Sequence, residues 1–228
     1  MKTQKWVISL GGSRIIPEDV DNKFLSEFKK LILNSKKSHK FIVVTGGGTT
    51  ARKYITALKE MNKSIKEQSK AGIAVTRFHA SFLMRLFGKR ANHELPFTIK
   101  RVKNLITKNK VVFCGALRSN KKQTTDGTAA KIAASLNCPF INLTNVKGLY
   151  TNNPKTHKNA KFIKDITWSD FNKMAKKIKF KAGQHFVLDQ VGAKVILRRK
   201  VPTYIVGSSK DIKNVVNNKK FTGTLINN

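Results

Sequence analysis

The feature that most constrains this chain is a succession repeated along it: a short apolar run, a cluster of glycines, then a segment with helical spacing. Residues 5–10 (Lys-Trp-Val-Ile-Ser-Leu) run into Gly11-Gly12, and residues 40–45 (Lys-Phe-Ile-Val-Val-Thr) run into Gly46-Gly47-Gly48. Residues 110–114 (Lys-Val-Val-Phe-Cys) run into Gly115. Apolar runs of this length bounded by turn residues read as buried strands, and strands that alternate with helices imply a mainly parallel sheet. In such sheets ligands sit at the carboxyl ends of the strands, where these glycines fall.

The rest of the chain continues the pattern. Phe24, Phe28, Leu31 and Ile32 give residues 21–33 a helical stripe, and Val75, Phe78, Phe82, Leu83 and Leu86 mark a second helix. A polar loop at 116–123 leads into a helix of small residues from about Thr125. Residues 139–144 and 203–206 read as strands, and 223–226 as a last one. Residues 151–164, with Pro154, read as a loop or irregular hairpin. Ser169 is a candidate cap for a helix to 178, residues 184–199 read as a helix, and Ser208 to Asp211 looks like a capping box. The expected fold is α/β: a three-layer α/β/α sandwich around an open, mainly parallel sheet.

A chain of 228 residues with 40% apolar content has ample core for one such domain or two closely joined lobes. No run approaches the roughly 18 apolar residues of a membrane span, and the opening residues read as a strand, not a signal peptide. Two cysteines, Cys114 and Cys138, do not make a disulfide framework, which points to a reducing cytoplasm. Forty-six Lys and Arg against twelve Asp and Glu give a net charge of +34. The lysines are spread along the whole chain, so the residues leave open a polyanionic partner or a compositional bias toward Lys, Asn and Ile. Either way the surface is expected to hold polyanions non-specifically at low salt.

The glycine clusters carry the chemistry. Gly11-Gly12-Ser13 offers backbone amides and a hydroxyl to a phosphate, or is an ordinary strand-to-helix turn. Gly46-Gly47-Gly48 followed directly by a helix makes an anion site from amides and helix dipole. Arg52 then stands in the first helical turn, a place that disfavours a cation unless an anion is bound there. Neither stretch is a Walker A loop. Thr124-Thr125-Asp126 opens another helix, with hydroxyls for a second phosphate; Asp126 reads equally as an N-cap. Thr144-Asn145-Val146-Lys147-Gly148-Leu149-Tyr150, then Asn152-Asn153-Pro154, offers a strand end and polar residues to a base and ribose. The histidines at 39, 79, 93, 157 and 185 show no metal-ligand spacing and read as surface or packing residues. Trp6 and Trp168 read as core or edge aromatics.

In that order the motifs Gly-Gly-Ser (11–13), Gly-Gly-Gly-x-x-Ala-Arg-Lys-Tyr (46–54), Thr-Thr-Asp-x-x-Ala-Ala (124–130), Thr-Asn-Val-x-Gly-x-Tyr (144–150) and Lys-Ala-Gly…Asp189…Ala-Lys-Val-Ile (181–196) resemble the archaeal-type uridylate (UMP) kinases of the amino-acid-kinase superfamily. The resemblance spans about residues 6–226. It implies phosphoryl transfer from ATP to UMP with Mg²⁺, no protein metal site, a homohexamer, and one domain with an acceptor lobe at about 1–135 and an ATP lobe at about 136–228. It assigns Ser9, Leu10, Gly11, Gly12, Ser13, Gly47, Arg52, Thr144, Asn145, Tyr150 and Asn153 to ATP, and Gly46, Ser69, Thr124 and Thr125 to UMP. Arg52 and Asp189 fall at catalytic positions. The chain departs from the family's usual acidic residues at Ser69, Lys147 and Asn153, and carries Gln190 where the family has Pro. Ser9 stands where many related kinases have a lysine. Lys147, in the loop after residues 139–144, reads either as a substitute cation for the transferring phosphoryl group or as one more solvated lysine. An isopentenyl phosphate acceptor is disfavoured, because Thr49-Thr50-Ala51-Arg52 stands where those kinases carry a histidine; the departures at Ser69, Lys147 and Asn153 leave open another small acceptor, or a nucleotide-binding relative without catalysis.

Overall fold

Side-chain alternation along the first strand divides the molecule into layers. In the computed structural model, which describes residues 3–117, 124–154, 156–177 and 188–228, β1 spans Gln4–Leu10. Val7 points to one face; Trp6, Ile8 and Leu10 point to the other. Strands β2 (His39–Thr45), β3 (Val111–Cys114) and β4 (Phe140–Leu143) repeat the alternation: Ile42, Val44, Val112, Cys114 and Phe140 join Val7, while Phe41, Val43, Val111, Phe113, Ile141 and Leu143 join Trp6. A two-residue period with both faces apolar is the mark of a sheet covered on both sides.

The helices supply the covers. On the Val7 face lie α5 (Ile99–Lys108), α6 (Thr125–Leu136), α7 (Trp168–Lys177) and α8 (Gln190–Arg199), through Val102, Ile132, Phe171 and Ile196. On the Trp6 face lie α1 (Gly12–Ile15), α2 (Asn22–Leu33), α4 (Ile65–Phe87) and α9 (Ser209–Val216), through Ile15, Phe28, Leu83 and Ile212. Helix α3 (Gly48–Glu60) buries only Ala51 of its own side chains and packs on α4. The main sheet is completed by β8 (Thr203–Val206), β9 (Gly223–Asn227) and β7 (Asp165–Thr167), in the order β3-β2-β1-β4-β8-β9-β7. Its pairings are parallel except β8 with β9. A hairpin of β5 (Leu149–Tyr150) and β6 (Phe162–Ile163) stands beside it. This is the expected three-layer sandwich.

Several local expectations are corrected. Helix α5 has no counterpart in the sequence reading. Its stripe of Ile99, Val102 and Ile106 is short and interrupted by lysines, and Thr98 caps it by accepting the Arg101 N–H. Ser169 is not the cap of α7: the Asp170 N–H donates to Thr167 Oγ1, so the cap sits two residues earlier. Helix α8 starts at Gln190 with Asp189 as its cap; the earlier part of the predicted 184–199 helix, and the Lys181-Ala-Gly motif, lie outside the described residues, as does most of the 116–123 loop. Ser208 caps α9 by accepting the Asp211 N–H at 3.1 Å, but the expected box is only half formed: the Asp211 carboxylate accepts from the Ser208 hydroxyl and the Thr222 N–H instead of the Ser208 N–H. Trp6 is core, and Trp168 is partly buried with its indole N–H on the Val201 carbonyl.

The chain leaves β1 toward β2 and β3, then crosses back to place β4 on the other side of β1. Strand order therefore reverses at β1, and the carboxyl ends of β2, β1, β4 and β8 stand side by side there. Such a reversal opens a crevice above the strand ends.

Candidate active site

Both leading glycine clusters open into this crevice, and their backbones touch. A Cβ on Gly12 would come within 2.5 Å of Gly47 C and Gly48 N, and one on Gly48 within 2.3 Å of Ser13 N. Gly48 also has φ +60, a left-handed conformation that any other residue here would occupy under strain. The Gly46 N–H donates to the Leu10 carbonyl at 2.8 Å, tying the second cluster to the end of β1. No side chain fits between the two turns, so their amides are the chemistry available in that space.

Helix α3 begins at the second cluster, capped at Gly47 with no side-chain hydrogen bond to its first amides. Unpaired N-terminal amides and the helix dipole favour an anion there. Arg52 is the fifth residue of α3, not a first-turn residue as expected, but its guanidinium reaches back and donates to Thr49 Oγ1 at 3.0 Å. The charge therefore returns to the first turn.

Helix α6 aims its amino end at the same place. Thr124 is its N-cap, accepting the Asp126 N–H at 3.2 Å, which corrects the reading of Asp126 as the cap. Asp126 instead accepts a hydrogen bond from Ser9 Oγ at 2.5 Å, joining α6 to β1. Burial pushes the Asp126 carboxyl up to about 7; the Ser9 hydrogen bond opposes that shift, and the nearby Asp189 charge reinforces it. The Thr125 hydroxyl lies 3.4 Å from where a Gly46 Cβ would stand. Asp189 sits beneath: it accepts from the Thr124 N–H at 3.0 Å, the Thr124 hydroxyl, the Gly127 N–H at 3.2 Å and the Gly192 N–H at 2.6 Å. One buried carboxylate thus ties together the amino ends of α6 and α8.

On the β4 side, Thr144 continues from the strand end with its N–H on the Val206 carbonyl, and exposed Asn145 follows. Tyr150 lies edge-on to Phe162 at 5.4 Å in the β5–β6 hairpin, which Thr224 Oγ1 anchors by accepting the Leu149 N–H and donating to the Ile163 carbonyl. The Asn153 carbonyl accepts from Thr156 and His157, forming a turn at the hairpin's tip. Lys147 is exposed.

The structure therefore gathers Ser9, Gly11 to Ser13, Gly46, Gly47, Arg52, Thr124, Thr125 and Asp189 around one crevice, with Thr144 at its β4 edge. Leu10 is fully buried, leaving only its backbone to the site. Ser69 is exposed on α4, one turn before Gly72, whose carbonyl lies 3.5 Å from a Gly47 Cβ position. Sequence reasoning missed what stands behind the glycines. His79 is fully buried, with Nδ1 at 2.8 Å from the Gly46 carbonyl. Burial lowers its pKa, against a smaller opposing effect of that hydrogen bond. Thr76 accepts the Ala116 N–H, and Arg77 donates to the Ala116 and Leu117 carbonyls, so α4 holds the end of β3 as well. These contacts join residues about 30 to 40 positions apart, and no local motif announces them.

Residues 4–207 match the model of the amino acid kinase family. The uridylate kinase of Thermococcus kodakarensis is 34% identical over 225 residues, covering 96% of this chain and 98% of that protein. The crystal structure of uridylate kinase from Archaeoglobus fulgidus superposes with a TM-score of 0.85 at 31% identity, covering 98% of this chain and all of that one. The UMP kinase of Ureaplasma parvum shares the fold, with a TM-score of 0.82 at 20% identity over the full length of both chains. With a family match across most of its length, and glycine turns, strand ends and helix amino ends converging on one crevice, this chain belongs to the amino acid kinase family.

Proposed function

We propose that this protein is a uridylate kinase, transferring the γ-phosphoryl group of ATP to UMP. The observation that carries the reading is the backbone contact between the two glycine turns at the strand-order reversal, with the amino ends of α3 and α6 beside it. Two phosphate-bearing substrates must meet in such a reaction, and oriented amides and cations serve them better than a nucleophile. Near-full-length similarity to a protein named uridylate kinase supports UMP as acceptor.

An oxygen of the UMP phosphate attacks the γ-phosphorus, and the bond to the ADP oxygen breaks. The acceptor is largely dianionic at neutral pH, since a phosphate monoester has its second pKa near ~6, so no general base is required. The Gly46–Gly48 turn and the α3 amides would hold phosphate oxygens, with the Arg52 guanidinium adding charge. Thr124, Thr125 and Ser69 would face UMP; Thr144, Asn145, Tyr150 and Asn153 would face ATP. Chain halves at about 1–135 and 136–228 then serve acceptor and donor.

Mg²⁺ fits this donor set as a companion of ATP. Among the described residues no group of three His, Cys, Asp or Glu gathers, and Asp189 has its oxygens engaged with helix amides and a hydroxyl. Asp126 accepts from Ser9 through one oxygen, and among the described residues no donor meets the other. A single carboxylate beside substrate phosphates is a usual Mg²⁺ environment. When bound, the ion would neutralise charge on the transferring phosphoryl group.

The same reading extends to assembly and place. Tyr54, Met61, Ile65 and Phe78 are 58–80% exposed on or beside α3 and α4, and a homo-oligomer, hexameric by resemblance, would cover them. No helix among the described residues is long and apolar enough to cross a membrane, and the buried free cysteines suit the cytoplasm. The test is ADP release with ATP, Mg²⁺ and each of UMP, CMP, dTMP and isopentenyl phosphate. Turnover selective for UMP is expected; no ADP release with any nucleoside monophosphate would overturn the reading.

A further inference from the structure

We infer that His79 is a positioning residue for phosphoryl transfer: it fixes the Gly46–Gly47 peptide so that the Gly47 N–H faces the crevice. The inference rests on the phosphotransferase reading above. His79 lies on α4, outside the glycine turns, and is fully buried. Its Nδ1 stands 2.8 Å from the Gly46 carbonyl oxygen. A carbonyl oxygen only accepts, so Nδ1 carries a proton, and because burial favours the neutral ring, Nε2 is left without one. Nε2 is buried without a hydrogen-bond partner among the described residues, so the ring's one polar contact in this structure is with the Gly46 carbonyl.

That contact has a geometric consequence. In a trans peptide the C=O and the following N–H point in opposite directions within one plane. With the Gly46 carbonyl drawn toward α4, the Gly47 N–H is turned away from α4. Among the described residues that N–H has no acceptor. The neighbouring peptides are held as well: the Gly46 N–H is on the Leu10 carbonyl, and the Gly47 carbonyl accepts the Ala51 N–H at the start of α3. The Gly46–Gly47 peptide lies between these anchors. Glycine on both sides permits it to rotate, and α4 fixes its orientation through His79. The Gly46 carbonyl oxygen also lies 2.6 Å from where a Gly12 Cβ would be, so rotation of this peptide would disturb the other phosphate turn too. An amide donor aimed in advance at developing phosphoryl charge contributes to the rate only while its direction is fixed.

Two measurements decide it. With ¹⁵N-histidine labelling, the His79 ring, identified as the signal missing from His79→Asn, should show the Nδ1–H tautomer; the Nε2–H tautomer would overturn the inference. Steady-state kinetics supply the second arm. Asn carries its amide nitrogen on Cγ, as His carries Nδ1, and can donate to the same carbonyl; Leu cannot. His79→Leu should lower kcat by about 10- to 100-fold, a fraction of the loss seen when an oriented donor is removed outright, with both KM values within about threefold. His79→Asn should restore kcat to within about threefold of the parent. A Leu variant within twofold of the parent, or an Asn variant as slow as Leu while equally folded, would overturn it. If Leu prevents folding, His79→Gln takes its place: its donor sits one methylene further out, and it should be slower than Asn. The tautomer arm reads the Gly46 contact even in a chain that releases no ADP, so failure of this inference is distinguishable from failure of the kinase reading.

Discussion

Replacing Asp189 separates two roles that a buried carboxylate near a phosphate site could have. In the structure it receives hydrogen bonds from three backbone amides and one hydroxyl, and it is 7% exposed. Asp189→Ala removes the N-cap of α8, worth about 1 kcal/mol. It also strands the Thr124 and Gly127 donors, and hydrogen bonds to a charged group contribute about 1.5–3 kcal/mol each before non-additivity. Allowing for water entering the vacated space, the loss should be about 3–5 kcal/mol. For a chain of this length about 1 kcal/mol moves Tm by about 2–4 °C, so a fall on the order of 10 °C is expected. Asp189→Asn should cost nearly as much, because an amide NH₂ facing the Thr124 and Gly127 N–H groups sets donor against donor. Since Thr124 moves with its partner, the KM for UMP should rise in both variants. Differential scanning fluorimetry with and without nucleotide, beside coupled ADP-release kinetics, reads all of this. An Asp189→Ala protein melting within about 2 °C of the parent, yet with kcat reduced 100-fold or more, would refute the clamp and make Asp189 a participant in the chemistry.

Gly48→Ala places a Cβ 2.3 Å from Ser13 N at φ +60, and should abolish measurable turnover while lowering Tm by several degrees; near-parental kinetics would show that the turns separate easily. Lys147→Ala discriminates between a substitute cation and a solvated lysine: an exposed lysine should leave kcat within about twofold, whereas a cation acting on the transferring group would cost on the order of 10²-fold. Acidification should act on stability in two opposite directions: Asp126, with its carboxyl pushed up to about 7, takes up a proton more readily in the folded chain and gains stability as pH falls through 7, whereas the buried histidines lose it. His79 and His39 both have folded pKa values lowered by burial below the ordinary 6.5, so the unfolded chain binds the extra protons. Their contribution is full above about pH 6.5 and is lost as pH falls toward the depressed values. Urea midpoints between pH 7.5 and 5 for the parent and His79→Asn isolate the histidine's share: the difference in stability between the two should shift in favour of the variant as pH falls. Binding of RNA or DNA by the +34 surface should be sequence-independent and steeply salt-sensitive; a specific complex surviving at about 0.3 M salt, where the Debye length is short, would contradict a purely electrostatic origin.

What the sequence determined by itself is six of the seven strands of the main sheet, the glycine turns and their location; β7, three residues with none fully buried, carries no apolar run to announce it. Val7, Ile42 and Val112 lie in continuous apolar runs because both faces of a parallel strand are buried, and the glycines mark where backbone replaces side chain; both signals are local. Helix α5 escaped because a half-exposed helix rich in lysine shows only a narrow stripe. The partners of the site residues were equally hidden. Whether Asp126 caps its own helix or reaches Ser9, 117 positions away, is decided by where α6 crosses β1. Whether His79 packs or orients depends on α4 running past the end of β2. A carboxylate or an imidazole reads the same in a sequence whatever it faces. Local spacing constrains backbone conformation, whereas hydrogen bonds between distant segments exist only once the sheet order has brought their strand ends together.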